Sequence, residues 1–500
     1  MKILLLEHPR SVHPERCNDI ANTPLSSCLL TGYAAGMLKS KGHHVEIVEG
    51  HLDRLSYPEI EKIVSAAKPD LLGVHMVYHW KNDMALFSFL EKVKYEGISP
   101  YITAYGFYPT FAFEDILTAC PAIDAVITGE PEATFVDLAE ALAQNASPGN
   151  IPGLTWRDES GKIVALRRKP VEDLDSLPFP VRTGAMFRLP EVNIQGSRGC
   201  YGGCTFCYIN PFYGQRAVWR GRSPENIAAE IDEIICQRGV TDFYFTDPNF
   251  FGPGQRGQER ARHLASLLKP RHIRFGIEAR VNDIHDETIE TLVDAGLRHI
   301  LIGLESGRDH SLKRINKMTT VAENERAIRI LRKHGIGPNI GFIMFEPDSS
   351  LEDVRINFEF LRRNNLLQHL PVTANVLYHH QIILKGTPAY QRLHEEGRLE
   401  ILSSSTYEGV TAFTDHKVAV LAEIMRKITN FIFVRMAGIW SGKEQEPVDG
   451  PKKNSQINGL LVQWFETVLN GLEAGELFSD DRKVRFIYEA EKAVNQILQE

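Results

Sequence analysis

The chain has 500 residues, 43% of them hydrophobic and 24% charged, an ordinary globular balance that excludes wholesale disorder and a fibrous repeat and leaves room for roughly three domains. With 56 Lys plus Arg against 64 Asp plus Glu, the net charge of −8 argues against a general binder of nucleic-acid backbones. Seven cysteines are too few for a disulfide scaffold, and no run approaches the ~18 apolar residues of a membrane span.

The apolar run Ile3–Leu6 ends in charge too soon for a secretory signal, so a cytoplasmic, reducing setting is expected. Over residues 1–145, short apolar strands are expected at Lys2–Leu6, Val45–Val48, Leu71–Val74, Tyr101–Ala104 and Ala125–Thr128. Helical spacing is read at Pro24–Lys41, Ile60–Ala67, Met84–Tyr95 and Ala133–Ala143. Such alternation predicts a doubly wound, Rossmann-like α/β domain whose strand-end loops gather at one sheet edge. Residues 146–190 hold Pro148, Pro152, Pro170, Pro178 and Pro180 and a hairpin signal at Glu159-Ser160-Gly161, and are read as a packed linker.

Alternation resumes over residues 191–385, with strands expected at Val192–Gln195, Phe243–Thr246, Ile273–Ile277, His299–Gly303, Ile340–Met344 and Val372–Leu377. Ser223-Pro224 and Ser349-Ser350-Leu351-Glu352 are helix-start signals, and Gly239 is a stop. Six units predict a partial (β/α)6 barrel. Residues 386–500 read as a mostly helical domain, clearest at Val418–Ala437 and Ile457–Leu472, and are expected to close the substrate side.

Three cysteines are crowded into Gly199-Cys200-Tyr201-Gly202-Gly203-Cys204-Thr205-Phe206-Cys207, just after the first barrel strand. Three thiolates on a glycine-rich loop can bind three irons of one [4Fe-4S] cluster and leave the fourth iron open. A structural zinc site or an electron-transfer ferredoxin site wants a fourth ligand, yet Cys236 stands alone in a predicted helix. Cys17, Cys28 and Cys120 are likewise scattered.

This motif resembles that of the radical S-adenosylmethionine (SAM) superfamily over residues 190–380. The resemblance implies that Cys200, Cys204 and Cys207 hold the cluster, that the open iron chelates SAM, and that Phe206 lies near the adenine. Asp247 stands where the family places polar groups near the SAM amino group, although Thr246-Asp247-Pro248-Asn249 departs from the usual Gly-Gly-Glu. Arg280 ends the third strand and can pair with a carboxylate or serve the structure. Ile302-Gly303-Leu304-Glu305-Ser306-Gly307 looks like the family's Gly-x-Glu-Ser signature, with Gly303 permitting close approach and Glu305 or Ser306 contacting SAM. A buried structural Glu305 is the alternative.

The first domain resembles cobalamin-binding domains fused to one branch of these enzymes, on Gly106-Phe107-Tyr108-Pro109-Thr110 and Gly129-Glu130-Pro131-Glu132-Ala133-Thr134. Gly106 and Gly129 are read as backbone clearance for a wide planar ligand, Thr110 and Thr134 as donors to it, and Glu130 as part of the same site. No Asp-x-His-x-x-Gly pattern occurs, so no histidine is expected on the lower cobalt face; His75 and His79 are read as ordinary loop or partly buried histidines. A cofactor-free vestige of this fold and a flavodoxin-like docking domain are the alternatives. Together the resemblances imply a cobalamin-dependent radical SAM methyltransferase with [4Fe-4S] cluster, SAM and cobalamin as cofactors. A small-molecule substrate and an electron donor such as flavodoxin or ferredoxin would be its partners, with no nucleic acid. An oxidative cyclase of the same architecture, a tRNA-modifying role and a non-catalytic iron–sulfur redox or sensor protein are the competing readings.

Overall fold

The computed structural model describes residues 1–10, 29–76, 84–99, 101–214, 219–401, 406–440 and 444–499. Cys17, Leu25, Cys28 and His79 lie outside the described residues.

In chain order the first half runs β1 (Lys2–Glu7), α1 (Leu29–Ser40), β2 (His44–Glu49), α2 (Tyr57–Ala67), β3 (Leu71–His75), α3 (Met84–Tyr95), β4 (Tyr101–Tyr105), α4 (Phe107–Ala119), β5 (Ala125–Ile127) and α5 (Glu132–Ala143). The strands pair in parallel in the order β2-β1-β3-β4-β5. Alternate residues of each strand face opposite helix layers: Leu4, Leu6, Leu72 and Val74 pack with α2 to α4, whereas Ile3, Leu5 and Leu71 pack with α1 and α5. This two-sided burial explains why the strands read as unbroken apolar runs. The proline-rich segment contributes β6 (Leu154–Arg157) and β7 (Ile163–Ala165), an antiparallel hairpin that extends the same sheet past β5.

The second half continues with β8 (Val192–Ile194), β9 (Ser197–Arg198), α6 (Ile209–Tyr213), β10 (Arg220–Gly221), α7 (Pro224–Arg238), β11 (Asp242–Phe245), α8 (Gly254–Leu268), β12 (Arg274–Arg280), α9 (Asp286–Asp294), β13 (Leu297–Glu305), α10 (Asp309–Arg314), α11 (Val321–Lys333), β14 (Asn339–Phe342), α12 (Leu351–Arg363) and α13 (Leu370–Val376). Five strands form a parallel sheet in the order β8-β11-β12-β13-β14, and β9 with β10 makes a short antiparallel ribbon at its end. The α7 signals act as read, with Ser223 accepting from the Asn226 amide and Gly239 left-handed at the stop. Ser350 caps α12, but its capping-box partner is Asp353 rather than Glu352.

The expected sixth strand at Val372–Leu377 is instead helix α13. Pro371 sits in its first turn, where its missing N–H costs nothing, and tertiary burial overrides the strand preference of Val372 and Thr373. The sixth position is reduced to a parallel bridge between Phe345 and His380.

The last part holds β15 (Ile383–Leu384), α14 (Pro388–Glu395), β16 (Glu400–Ile401), β17 (Glu408–Val410), α15 (His416–Trp440), α16 (Gly450–Glu473) and α17 (Asp480–Gln499). The three short strands form their own antiparallel sheet. Ile424, Ile428, Leu461 and Phe465 join the barrel's core cluster, and the Phe358 and Phe465 rings stack at 4.8 Å, so α15 and α16 lie on the α12 flank of the barrel. No helix among the described residues is long and apolar enough to cross a membrane.

Candidate functional site

The loop from Gly199 to Cys207 leaves β9 through a left-handed glycine, Gly199, at φ +75°. It is stitched in place at several points. The Thr205 amide donates to the Ile315 carbonyl at 2.9 Å, the Asn316 side chain donates to the Gly203 carbonyl at 2.7 Å, and Asn210 donates to the Gly202 carbonyl. All three thiols line one cavity of about 210 Å³ at the strand ends. N–H donors already point at sulfur: the Gly202 amide meets Cys200 Sγ at 3.3 Å and Arg280 Nη1 meets Cys204 Sγ at 3.5 Å. Burial raises the Cys200 thiol and pushes Cys207 up to about 12, so metal binding must displace their protons. Among the described residues no three His, Cys, Asp or Glu side chains converge on a single-ion site.

On the opposite wall β13 and β14 pair Gly303 with Gly341, and the space their missing side chains leave is where Glu305 and Lys317 enter. A Cβ at Gly341 would lie 3.6 Å from the Gly303 Cα, and one at Gly303 would collide with Glu305 Oε1 at 2.4 Å and Lys317 Nζ at 2.6 Å. Glu305 is itself left-handed at φ +62°, an uncommon conformation for a non-glycine residue. Lys317 Nζ donates to Glu305 Oε1 at 2.8 Å, and Arg280 donates to the Lys317 carbonyl. Burial opposes the Lys317 charge, but Glu305 outweighs it and holds the ammonium above its ordinary range. Glu278 lines the same cavity; burial pushes its carboxyl up to about 7 against a 3.0 Å hydrogen bond from the Tyr244 hydroxyl. A glycine floor, converging thiols and buried charged groups fit a cluster with a small zwitterionic ligand.

Phe206, Arg280, Gly303 and Glu305 thus meet at the cavity with the three cysteines. Asp247 and Ser306 do not line it. Asp247 is fully buried and accepts from the Gly196 amide at 2.6 Å and Ser197 Oγ at 2.9 Å, which ties down the chain ahead of the cluster loop. Ser306 donates to Asn357 Oδ1 at 2.8 Å. Glu278 and Lys317 were missed. The Glu278-x-Arg280 alternation on one strand face was a readable signal, whereas Lys317 comes from a loop with no motif.

At the first domain's sheet edge, Gly106 is left-handed at φ +118°, and a Cβ there would meet the Met76 carbonyl at 2.5 Å. The neighbouring backbone, then, is what requires glycine at this position. Gly129 has φ +76° and faces the Phe212 carbonyl at 3.5 Å from its ideal Cβ. Thr110 Oγ1 donates to the Gly106 carbonyl at 2.7 Å and accepts from the Gly129 amide at 3.0 Å, so it locks the two loops together. Thr134 donates to the Pro152 carbonyl at 3.0 Å and accepts from Arg168, a structural task in place of the expected ligand donor. His75 is fully buried rather than a loop histidine. Its Nδ1 lies 2.7 Å from Glu7 Oε1, its ring stacks on Tyr105 at 5.1 Å, and its other edge packs under Gly106. Thr31 bonds both Glu7 and the Tyr105 hydroxyl. Burial opposes the Glu7 charge, but His75 and Arg10 outweigh it and pull the carboxyl down to about 2.

Glu130 has a task that motif reading did not foresee. Together with Glu132 it grips Arg198, the residue two before Cys200. Arg198 is 1% exposed; its Nη1 meets Glu130 Oε1 at 2.8 Å and its Nη2 meets Glu132 Oε1 at 2.6 Å. Arg220 reaches Glu130 Oε1 at 3.1 Å, and the Val171 amide donates to Glu130 Oε2 at 2.7 Å. Burial opposes the Glu130 charge, but the two arginines outweigh it and hold its carboxyl below the usual range. A buried charge network therefore fastens the cluster loop to the first domain.

A family model described as the radical SAM superfamily matches residues 194–361. An uncharacterized methyltransferase of Pyrococcus horikoshii is 27% identical over 372 residues, covering 73% of this chain and 78% of its own. The anaerobic magnesium-protoporphyrin IX monomethyl ester cyclase of Synechocystis sp. is 30% identical over 347 residues, covering 67% of each chain. Two other relatives are longer, and the chain spans 61% and 54% of them. Among solved structures, the cobalamin-dependent SAM radical enzyme OxsB, with aqua-cobalamin and SAM bound, superimposes with a TM-score of 0.80 at 20% identity, covering 100% of this chain and 80% of its own. The likeness to OxsB is one of fold.

Proposed function

The chain belongs to the radical SAM superfamily, and on that premise we propose that it is a cobalamin-dependent enzyme that places a methyl group on an unactivated carbon of a small molecule. One observation carries the reading: the two candidate sites abut. Phe107, which opens α4 at the first domain's sheet edge, lies 5.1 Å ring to ring from Tyr208 and 4.2 Å from Phe212, and Tyr208 directly follows Cys207.

In this reading Cys200, Cys204 and Cys207 hold the cluster and Phe206 flanks the SAM adenine. Gly303 makes room for the Lys317–Glu305 pair at the floor, and that pair with Glu278 and Arg280 meets the polar part of SAM. Gly106, Thr110 and Gly129 shape the edge on which cobalamin lies. When bound, the cluster with SAM supplies a carbon-centred radical and the cobalamin supplies the methyl group. The chain's own work is placement. Its Arg198 network fixes the cluster loop against the cobalamin edge, and the half-buried Phe107 ring packs on the buried Phe212 at the seam. The full burial of His75, whose ring is covered by Gly106, supports a lower cobalt face without a protein imidazole. A reductant such as flavodoxin or ferredoxin and a cytoplasmic setting complete the reading.

The cyclase name of the Synechocystis relative favours a second reading, oxidative cyclisation on the same machinery. Anaerobic reconstitution with cobalamin separates the two. Methyl gain in the product supports the first, and hydrogen loss with ring formation supports the second. Cob(II)alamin on the protein should give an electron paramagnetic resonance spectrum without nitrogen superhyperfine splitting from the protein. Failure to retain cobalamin at all would sink the methyl-transfer reading.

A further inference from the structure

A second cavity of about 350 Å³ lies outside the barrel, between the chain leaving β14, the strand β17 and one face of α15. It shares no lining residue with the cluster cavity. Its volume falls within the roughly 300–1,000 Å³ typical of small-molecule sites. The inner wall is mostly rings and aliphatic groups, with the buried Gln381 among them. Phe345 is fully buried and lies edge-on to Phe413 at 6.3 Å, and Tyr378 lies edge-on to His380 at 5.3 Å. Ala419 and Ala422 recur at helical spacing on the α15 face and leave room where larger side chains would fill the space. Polar groups stand toward the rim: Thr411 and Glu423 are half-buried and Arg426 is exposed. Lys483 at 2.6 Å and Lys427 at 3.5 Å balance the Glu423 charge.

We propose that this cavity is a binding site for an amphipathic, ring-bearing small molecule, with its ring system against Phe345, Tyr378 and Phe413 and its polar end at the Arg426 rim. Rings supply large contact area with geometric preference, which selects flat apolar bodies over flexible chains. The site is independent of the methyl-transfer reading, because none of its residues touches the cluster cavity.

The test uses holoenzyme saturated with SAM and cobalamin, so that the cofactor sites are filled, and the neutral fluorophore N-phenyl-1-naphthylamine as probe. One saturable, blue-shifted site per chain is expected. Thr411→Trp and Ala419→Trp, which fill the cavity from opposite walls, should each weaken binding by about tenfold or more. Iron content and far-ultraviolet circular dichroism report whether each variant folds, and Thr411→Trp alone carries the test if Ala419→Trp does not. No saturable binding, or folded variants that bind the probe as the parent does, would overturn the proposal.

Discussion

The sheet edge of the first domain and the strand ends of the barrel are built on opposite plans. At the first edge, Glu7, Thr31, His75 and Tyr105 bond to one another, and Thr110 ties Gly106 to Gly129. At the barrel, three thiols, Glu278, Arg280 and the Lys317–Glu305 pair surround a void. One edge is a finished surface on which a large ligand can lie. The other is an incomplete shell whose charges call for a ligand inside it. The Arg198 network joins the two.

Removing that joint should have the largest effect. Arg198→Ala leaves Glu130 and Glu132 buried without their shared cation, and breaking such a pair typically costs about 3–5 kcal/mol. Chemical denaturation should report the loss, with cluster content falling alongside. An unchanged midpoint would mean that the two halves are held by packing alone.

Next comes a contrast in pH. Glu7 is held at about 2 against an ordinary 4.5, so its ionised form stabilises the fold above the ordinary value and that stability is lost as pH falls toward 2. Glu7→Gln should cost about 3–4 kcal/mol at neutral pH, by the ~1.4 kcal/mol per pKa unit, with the difference closing in acid. Asp247 runs the other way: burial pushes it up to about 6, with Arg260 opposing, so the folded state loses stability as pH rises from 3.8 through 6. Asp247→Asn should therefore gain on the parent over that window, by up to about 3 kcal/mol. Parallel pH slopes for the two variants would contradict the opposed shifts of these two buried carboxyls.

The smallest effect is expected at the cysteines outside the cavity. Cys236 is exposed on α7 and Cys120 is buried at the C-terminal end of α4, where burial pushes its thiol up to about 11. Replacing either by Ser should leave iron and sulfide counts unchanged. Loss of about a quarter of the iron would show a fourth thiol ligand.

The limits of reading this sequence follow from the range of each interaction. The cysteine spacing is local, so the cluster loop was legible. The apolar strand runs were legible because both faces of each sheet are covered. The Val372–Leu377 segment misled because β-branched residues in a buried helix look like a strand. Glu130 lies in a recognisable motif, but its partners Arg198 and Arg220 are 68 and 90 residues away, and no local pattern reveals them. Asp247 and Ser306 stand at the right strand ends yet point to backbone and Asn357, a choice made by packing. Lys317 reaches Glu305 from a connecting loop, with nothing in its neighbours to mark it.

The central claim is that Cys200, Cys204 and Cys207 complete one SAM-cleaving centre. The direct measurement is 5′-deoxyadenosine formed from SAM by anaerobically reconstituted protein under a strong reductant, compared with the variant carrying Cys200→Ala, Cys204→Ala and Cys207→Ala. The account predicts steady formation by the parent and none above background by the triple variant. Cleavage that persists in the triple variant, or a fully iron-loaded parent that forms no 5′-deoxyadenosine, would contradict it.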